Sequence, residues 1–434
     1  MNSHDHRARP PSRLKGARHH TTLVERCLLM VTVAFLPLED HLPTIAGFSA
    51  LFLLFGVVAS YILVRRVRAL YTVLIHPVFL ATYGLLFVSL LNEFVHLNPN
   101  YRDLFRIGLM VAGAGLVASL CRDLAALRVG IYAYIAAGVC LSMLLFLTSY
   151  QPLQGARAAS FQEASRARTQ VVDEIPLQLN ANKMALYTAL GTVAAAALAL
   201  STRSLLRRAL FVGITLFSLV ATFLPMSRGG IVTAAIACAV VVMTYRTARL
   251  RTLVVTGLLG IGVLSWVPEV VFSRLELSAG SRANVFAAAV DSISEYAVMG
   301  VGAGNYWASW GYNNGFAPHG GNVVGAHNVF LQVAIYWGFA SLLSLLIVIW
   351  QAWRCLPRRC GDDEAALCLK GIAVAVLVSM LFVHTLYDKH FSLALGLLVS
   401  AQRWIWPGRR IPVAENLRRR VLPGFVPATE FSTR

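Results

Sequence analysis

Residues Pro268–Asn328 read PEVVFSRLELSAGSRANVFAAAVDSISEYAVMGVGAGNYWASWGYNNGFAPHGGNVVGAHN. This is a long polar interruption of an otherwise apolar sequence, with apolar runs on both sides. Flanked by runs able to cross a bilayer, such a segment has to lie as a cap on one membrane face. It carries Arg274, Arg282, His319 and His327 together with Gly300, Gly302 and Gly304, so chemistry is expected here if anywhere.

The flanking sequence supports that frame. Of the 434 residues 57% are hydrophobic and 13% charged, where a soluble domain carries about 25% charged residues. Apolar runs of roughly 16 to 24 residues fall at about 24–38, 43–64, 71–91, 104–120, 125–149, 183–200, 208–225, 229–245, 252–271, 328–351, 371–387 and 390–406. A hydrocarbon core of ~30 Å needs about 20 apolar residues in a helix. The expectation is therefore an all-α polytopic membrane protein of about twelve transmembrane helices, with a helical cap between spans nine and ten. Its parts are a basic tail (1–23), a transmembrane domain (24–407) with a polar loop at about 150–182 and the cap at about 268–328, and a second basic tail (408–434). The first apolar run is followed by LEDH and not by a small-residue cleavage site, so this helix is expected to stay.

Basic residues set the orientation, because short cytoplasmic connections retain Lys and Arg. Alternate connections hold Arg65, Arg66 and Arg68, then Arg122 and Arg128, Arg203, Arg207 and Arg208, Arg246, Arg249 and Arg251, and Arg354, Arg358, Arg359 and Lys370. Both tails are basic as well, which places both termini in the cytoplasm and the cap on the opposite face. The net charge of +18 then follows from topogenic arginines and anionic headgroups, with no nucleic-acid partner required. The seven cysteines are odd in number and fall in apolar spans or basic connections, so no disulfide framework is implied. Cys355, Cys360 and Cys368 share one connection without the His or paired CxxC of a zinc site.

Two arginines on the outer face stand apart from their neighbours. Arg228, in the tight turn PMSRGG, lies where an apolar span starts back toward the cytoplasm. There it either snorkels to the interface or adds its charge to the free N–H groups of a helix start, which attract anions. Arg282 follows Gly280 and Ser281, a stop and an N-cap, so it too opens a helix. Two guanidinium groups at two helix starts suit a diphosphate, which they can grip bidentately. His327 precedes Asn328, a natural N-cap, whereas His319 in FAPHGGN sits between proline and glycine. Either histidine can be read as a base or as a structural residue. GVGAGN (300–305) lacks the spacing of a dinucleotide or Walker loop and is better read as a backbone turn. Arg166 and Arg168, beside Glu163, read as solvated loop residues. No HExxH or DxD metal motif occurs, and Glu39 with Asp40 and Asp173 with Glu174 are the paired external acids.

Four pieces in order resemble the O-antigen ligase and polymerase superfamily of bacterial envelope glycosyltransferases. They are LNANKMA (179–185), SRGG (227–230), GSR before an apolar helix (280–282), and GVGAGN followed by AHNVFLQVAIYWG (326–338). One departure is Trp337 before Gly338, where many members carry an acid. The resemblance implies metal-free, cofactor-free, inverting transfer of a glycan from undecaprenyl diphosphate at the periplasmic face of the inner membrane. The acceptor is lipid A-core oligosaccharide in a ligase and another lipid-linked O-unit in a polymerase. Carried onto this sequence, it implies Arg228 and Arg282 as stabilisers of the leaving diphosphate and His327 as the base. Asn182, Lys183, Arg274, His319 and Asn328 are implied as further substrate contacts. A transporter and a non-catalytic export scaffold are the readings from other classes; internal repeats would mark the first, and tolerance of losing Arg228, Arg282 and His327 the second.

Overall fold

The computed structural model describes residues 21–35, 44–45, 48–96, 99, 101–154, 163, 166–169, 181–245, 262, 264–272, 289–290, 293–294, 296–303, 328–357, 363–382 and 389–406. Their helices are α1 (Leu23–Phe35), α2 (Ala50–Arg65), α3 (Val67–Leu74), α4 (Pro77–Phe94), α5 (Tyr101–Leu120) and α6 (Leu124–Gln154). The later ones are α7 (Ala181–Ser201), α8 (Leu205–Phe223), α9 (Arg228–Thr244), α10 (Val329–Arg354), α11 (Glu364–Ser379) and α12 (Lys389–Ser400), which ends in a π turn at Ala401–Ile405. The fold is all-helical as expected, apart from one antiparallel pairing of two-residue segments, Thr44–Ile45 with Phe48–Ser49.

Six of these helices are long and apolar enough to cross a membrane: α4, α5, α6, α7, α8 and α10. Most of the ninth expected run, about 252–271, lies outside the described residues, as does most of the cap. The third expected run is divided. α3 ends at Leu74, and α4 begins afresh at Pro77 after His76, whose ring accepts from Val78 N. Proline at the first helical position loses no helical hydrogen bond and fixes the turn before it. The chain is thus a multi-pass helical membrane protein. Its apolar side chains remain uncovered on the outer helices, with Leu147 81%, Leu206 81% and Met243 79% exposed, as lipid contact requires.

α7 is the hub. It packs against α6, α8, α9 and α11, and 89% of it is buried against 22% of α8. Its sequence is rich in Ala, and such small side chains let backbones approach where no hydrophobic drive separates helix from lipid. Gly191 meets Gly138 of α6 so closely that a Cβ on Gly138 would stand 2.8 Å from the Gly191 Cα. The second packing group pairs α4 with α10 and α5 with α12.

At the end that carries the alternate basic connections, Glu25 is fully buried and is held by Arg122 at 2.9 Å and Arg66 at 2.6 Å. Asp123 accepts from Thr21 N at 2.8 Å and pairs with Arg26 at 3.3 Å. Burial tends to raise the Asp123 carboxyl, but its hydrogen bonds from Thr21 and Ala126 and the charge of Arg26 hold it below the ordinary range. These contacts bring the start of α1, the end of α2 and the α5–α6 link to one end, where strict alternation of spans puts them. Gln402 adds two more elements there, since its Oε1 accepts from Cys355 Sγ at 3.0 Å and lies 2.8 Å from His76 Nε2. The six described cysteines are free thiols.

Candidate active site

At the opposite end, three helix starts converge. The first is that of α9. After α8 the chain turns through Met226, whose φ of 51 is left-handed, and Ser227 takes the extended N-cap conformation. Arg228 is the first helical residue, half-buried. The two glycines after it are explained by contact. A Cβ on Gly229 would stand 2.6 Å from Phe382 Cβ, and one on Gly230 would run into Ala185 of α7. SRGG is therefore a packing motif that seats the arginine-bearing helix start against α7 and the turn after α11.

The second start is that of α7. Asn182 Oδ1 accepts from Ser227 Oγ and from Arg168 Nη2, each at 2.9 Å, while Arg168 Nε donates to Pro225 O at 3.2 Å. Arg168 is thus half-buried and built into the site, which corrects its reading as a solvated loop residue; Arg166 is exposed as expected. Two donors already meet on the Asn182 side-chain oxygen, so this residue joins α7, the α8–α9 turn and the external loop. Lys183, next to it, is half-buried. Among the described residues Arg228 has no ion-pair or hydrogen-bond partner, so its guanidinium is available to a ligand.

The third start is that of α10. Asn328 is its N-cap, with φ −147 and ψ 119, and its Oδ1 accepts from Phe330 N at 2.9 Å and Leu331 N at 3.1 Å. Val329 N donates to Met380 O at 2.9 Å, and Phe382, two residues further on, is the side chain that Gly229 touches. One turn after α11 thus binds both the α9 start and the α10 start. The positive ends of three helices thus lie together; the α10 start is capped by Asn328, whereas at the α9 start Ser227 makes no side-chain cap bond, so the first N–H groups beside Arg228 are uncapped.

His327 immediately precedes Asn328 in sequence but, with Arg274, Arg282 and His319, lies outside the described residues. Gly304 and Asn305 do too. Gly300 and Gly302, in contrast, are described, with φ of 69 and 79, and form a backbone turn. That turn is laid on α10. Val301 N donates to Ile335 O at 2.7 Å and Gly302 N to Tyr336 O at 2.9 Å. Among the described residues no three His, Cys, Asp or Glu side chains group as metal ligands do.

Sequence reading missed two features. His390, in the first turn of α12, is buried with its ring centroid 3.8 Å from that of Tyr187. Among the described residues neither of its ring nitrogens, nor the Tyr134 hydroxyl, has a hydrogen-bond partner. The available signal was the pair Lys389–His390 opening an apolar run. Glu93, at the end of α4, is fully buried and accepts from Trp337 Nε1 at 2.8 Å. The residue that stands in place of an acid before Gly338 is therefore met by a carboxylate from another helix.

Comparison with known proteins bears on the same region. No curated protein matches the chain. Residues 213–346 match the O-antigen ligase family model. The match runs from within α8 through Arg228, the cap and the first part of α10. It supports membership of the O-antigen ligase family for this chain.

Proposed function

We propose that the chain is a twelve-span inner-membrane glycosyltransferase that moves O-antigen glycan from undecaprenyl diphosphate to lipid A-core oligosaccharide at the periplasmic face. The observation that carries this reading is the convergence of three helix starts, one of them bearing the half-buried Arg228. A diphosphate leaving group needs its growing negative charge stabilised more than it needs a proton. Oriented N–H groups and guanidinium forks supply that without reorganising. Arg282, opening its own expected helix in the cap, is the second fork. His327, which directly precedes Asn328 in the sequence, takes the proton of the acceptor hydroxyl in this scheme. A single displacement inverts the anomeric centre and needs no metal ion. Asn182 and Asn328 act in this scheme by holding the site's backbone, since their side-chain oxygens are already engaged. Lys183, Arg274 and His319 remain contacts to the glycan or the diphosphate.

The test is reconstitution in liposomes with undecaprenyl-diphosphate-linked glycan, offering lipid A-core or a second lipid-linked O-unit separately, with and without EDTA. Transfer to lipid A-core with inversion, unaffected by EDTA, is expected. Growth of the lipid-linked glycan in place of transfer would make the chain a polymerase. Transfer abolished by EDTA and restored by Mg²⁺ would overturn the metal-free mechanism.

A further inference from the structure

α10 is broken at Gly338, whose φ of 73 and ψ of −176 lie outside the helical region. The break takes the carbonyls just before it out of helical register, and each finds a partner elsewhere. Ile335 O and Tyr336 O accept from Val301 N and Gly302 N. Trp337 O accepts from the Asn92 side chain. Beyond the break, Phe339 N donates to Ala297 O at 2.9 Å. The last turn of α4 closes the arrangement. Glu93 Oε2 accepts from Trp337 Nε1 at 2.8 Å and also from Ala303 N at 3.0 Å. His96, one turn on, lies against Gly302, where an added Cβ would stand 2.7 Å from its ring.

One carboxylate oxygen therefore ties together three separate pieces of chain: α4, the outer half of α10 (Val329–Trp337), and the Tyr296–Ala303 segment of the cap. Burying a carboxylate is costly unless it is well hydrogen-bonded. An apolar side chain would pack at lower cost, so the charge is explained by what it holds. Hydrogen bonds to a charged acceptor are roughly twice as strong as neutral ones.

We propose that Glu93 is a positioning residue of the transfer reaction, locking the outer half of α10 so that its start at Asn328 is held against the other two helix starts. This rests on the function proposed above, since it is the transfer site that the outer half-helix orients. Glu93 touches neither donor nor acceptor; it acts through Trp337 and Ala303.

The test pairs kinetics with amide hydrogen exchange on the full-length protein, using Glu93→Ala, Glu93→Gln, Trp337→Phe and the Glu93→Gln/Trp337→Phe double variant. In Glu93→Ala, kcat should fall by about 10- to 100-fold, the size expected for losing charged hydrogen bonds, while the KM for donor stays near wild type. Exchange in peptides covering 296–303 and 329–339 should accelerate in parallel. Glu93→Gln keeps an acceptor oxygen and should be milder. Because Glu93 acts partly through the indole, the double variant should lose less than the two single losses multiplied. Wild-type exchange rates in both segments of Glu93→Ala would overturn the lock. Accelerated exchange with unchanged kcat would overturn its role in transfer. Should Glu93→Ala fail to fold, the Gln and Phe variants decide the same two points. If the wild-type protein transfers nothing, the functional reading falls, and the exchange data alone decide whether Glu93 holds the break.

Discussion

Replacing Gly338 by alanine tests the broken helix directly. At φ 73 and ψ −176 the residue sits in a region open essentially to glycine alone, and holding another residue there costs about 1 to 3 kcal/mol. An added Cβ would also strike Val298 O and stand 2.6 Å from the Val298 carbonyl carbon and 3.0 Å from Gly300 N. Those are backbone atoms pinned by the exchange between 297–302 and 335–339, so they can yield only by giving up hydrogen bonds. Forced overpacking of this kind adds about 1 to 3 kcal/mol. Together the terms give a loss of about 2 to 6 kcal/mol, a large share of the ~5 to 15 kcal/mol typical of a folded protein. Gly213 is the control, because it lies exposed within α8 with nothing within 4 Å of an added Cβ; alanine there should be neutral or slightly stabilising. The assay is thermal or denaturant unfolding of both variants in the same detergent, alongside glycan transfer. A Gly338→Ala protein that unfolds with the wild type and keeps its activity would refute both the break and the pinning of the cap segment.

Arg228→Lys keeps the charge but loses the fork, and kcat/KM should drop by about 10- to 150-fold; a near-normal rate would reduce Arg228 to an interface anchor. Glu25→Ala takes from Arg122 and Arg66 the buried carboxylate they share, and should cost about 3 to 5 kcal/mol, read as a lower unfolding midpoint; an unchanged midpoint would sink that assignment. His76, in the α3–α4 link, has its pKa pushed down to about 4, chiefly by burial and further by the charge of Arg403, against the opposing hydrogen bond to Gln402. The unfolded chain takes up this proton near pH 6.5 while the folded one resists it, so stability should fall by about 3 kcal/mol as pH drops from about 6.5 to 4. His76→Asn, which can still cap α4, should flatten that slope; an unaltered slope would assign it to other groups.

Much of the framework is legible from local sequence, because the forces that write it are local. Apolar runs announce the long helices through hydropathy alone. Asn328 announces a helix start because a short polar side chain just before an apolar run has orphan N–H groups within reach, and it does accept from two of them. The alternation of basic connections likewise predicts which ends of α1, α2, α5 and α6 come together, and the Glu25–Arg66–Arg122 contacts join those ends. Composition is blind to the division at His76 and Pro77, since both pieces are apolar; only the proline marked it.

What could not be read is what depends on distant partners. Trp337 before Gly338 looks like a missing acid until α4 delivers Glu93 from 244 residues away. Arg168 looks solvated until the α8–α9 turn offers Pro225 O, 57 residues on. The same limit governs the glycines. Gly213 and Gly338 both sit inside apolar helical runs and are alike by any local rule, yet the first faces open space and the second is wedged against Val298. Side-chain period says where a helix runs, but the partner across the bundle decides whether a glycine is incidental or required. Tight glycines occur both where helices cross, at Gly138 with Gly191, Gly371 and Gly396, and beside the site, at Gly229 and Gly230 next to Arg228 and at Gly300, Gly302 and Gly338 beside the outer half of α10. Beside the site, that close packing seats the helix start carrying Arg228 against α7 and the turn after α11.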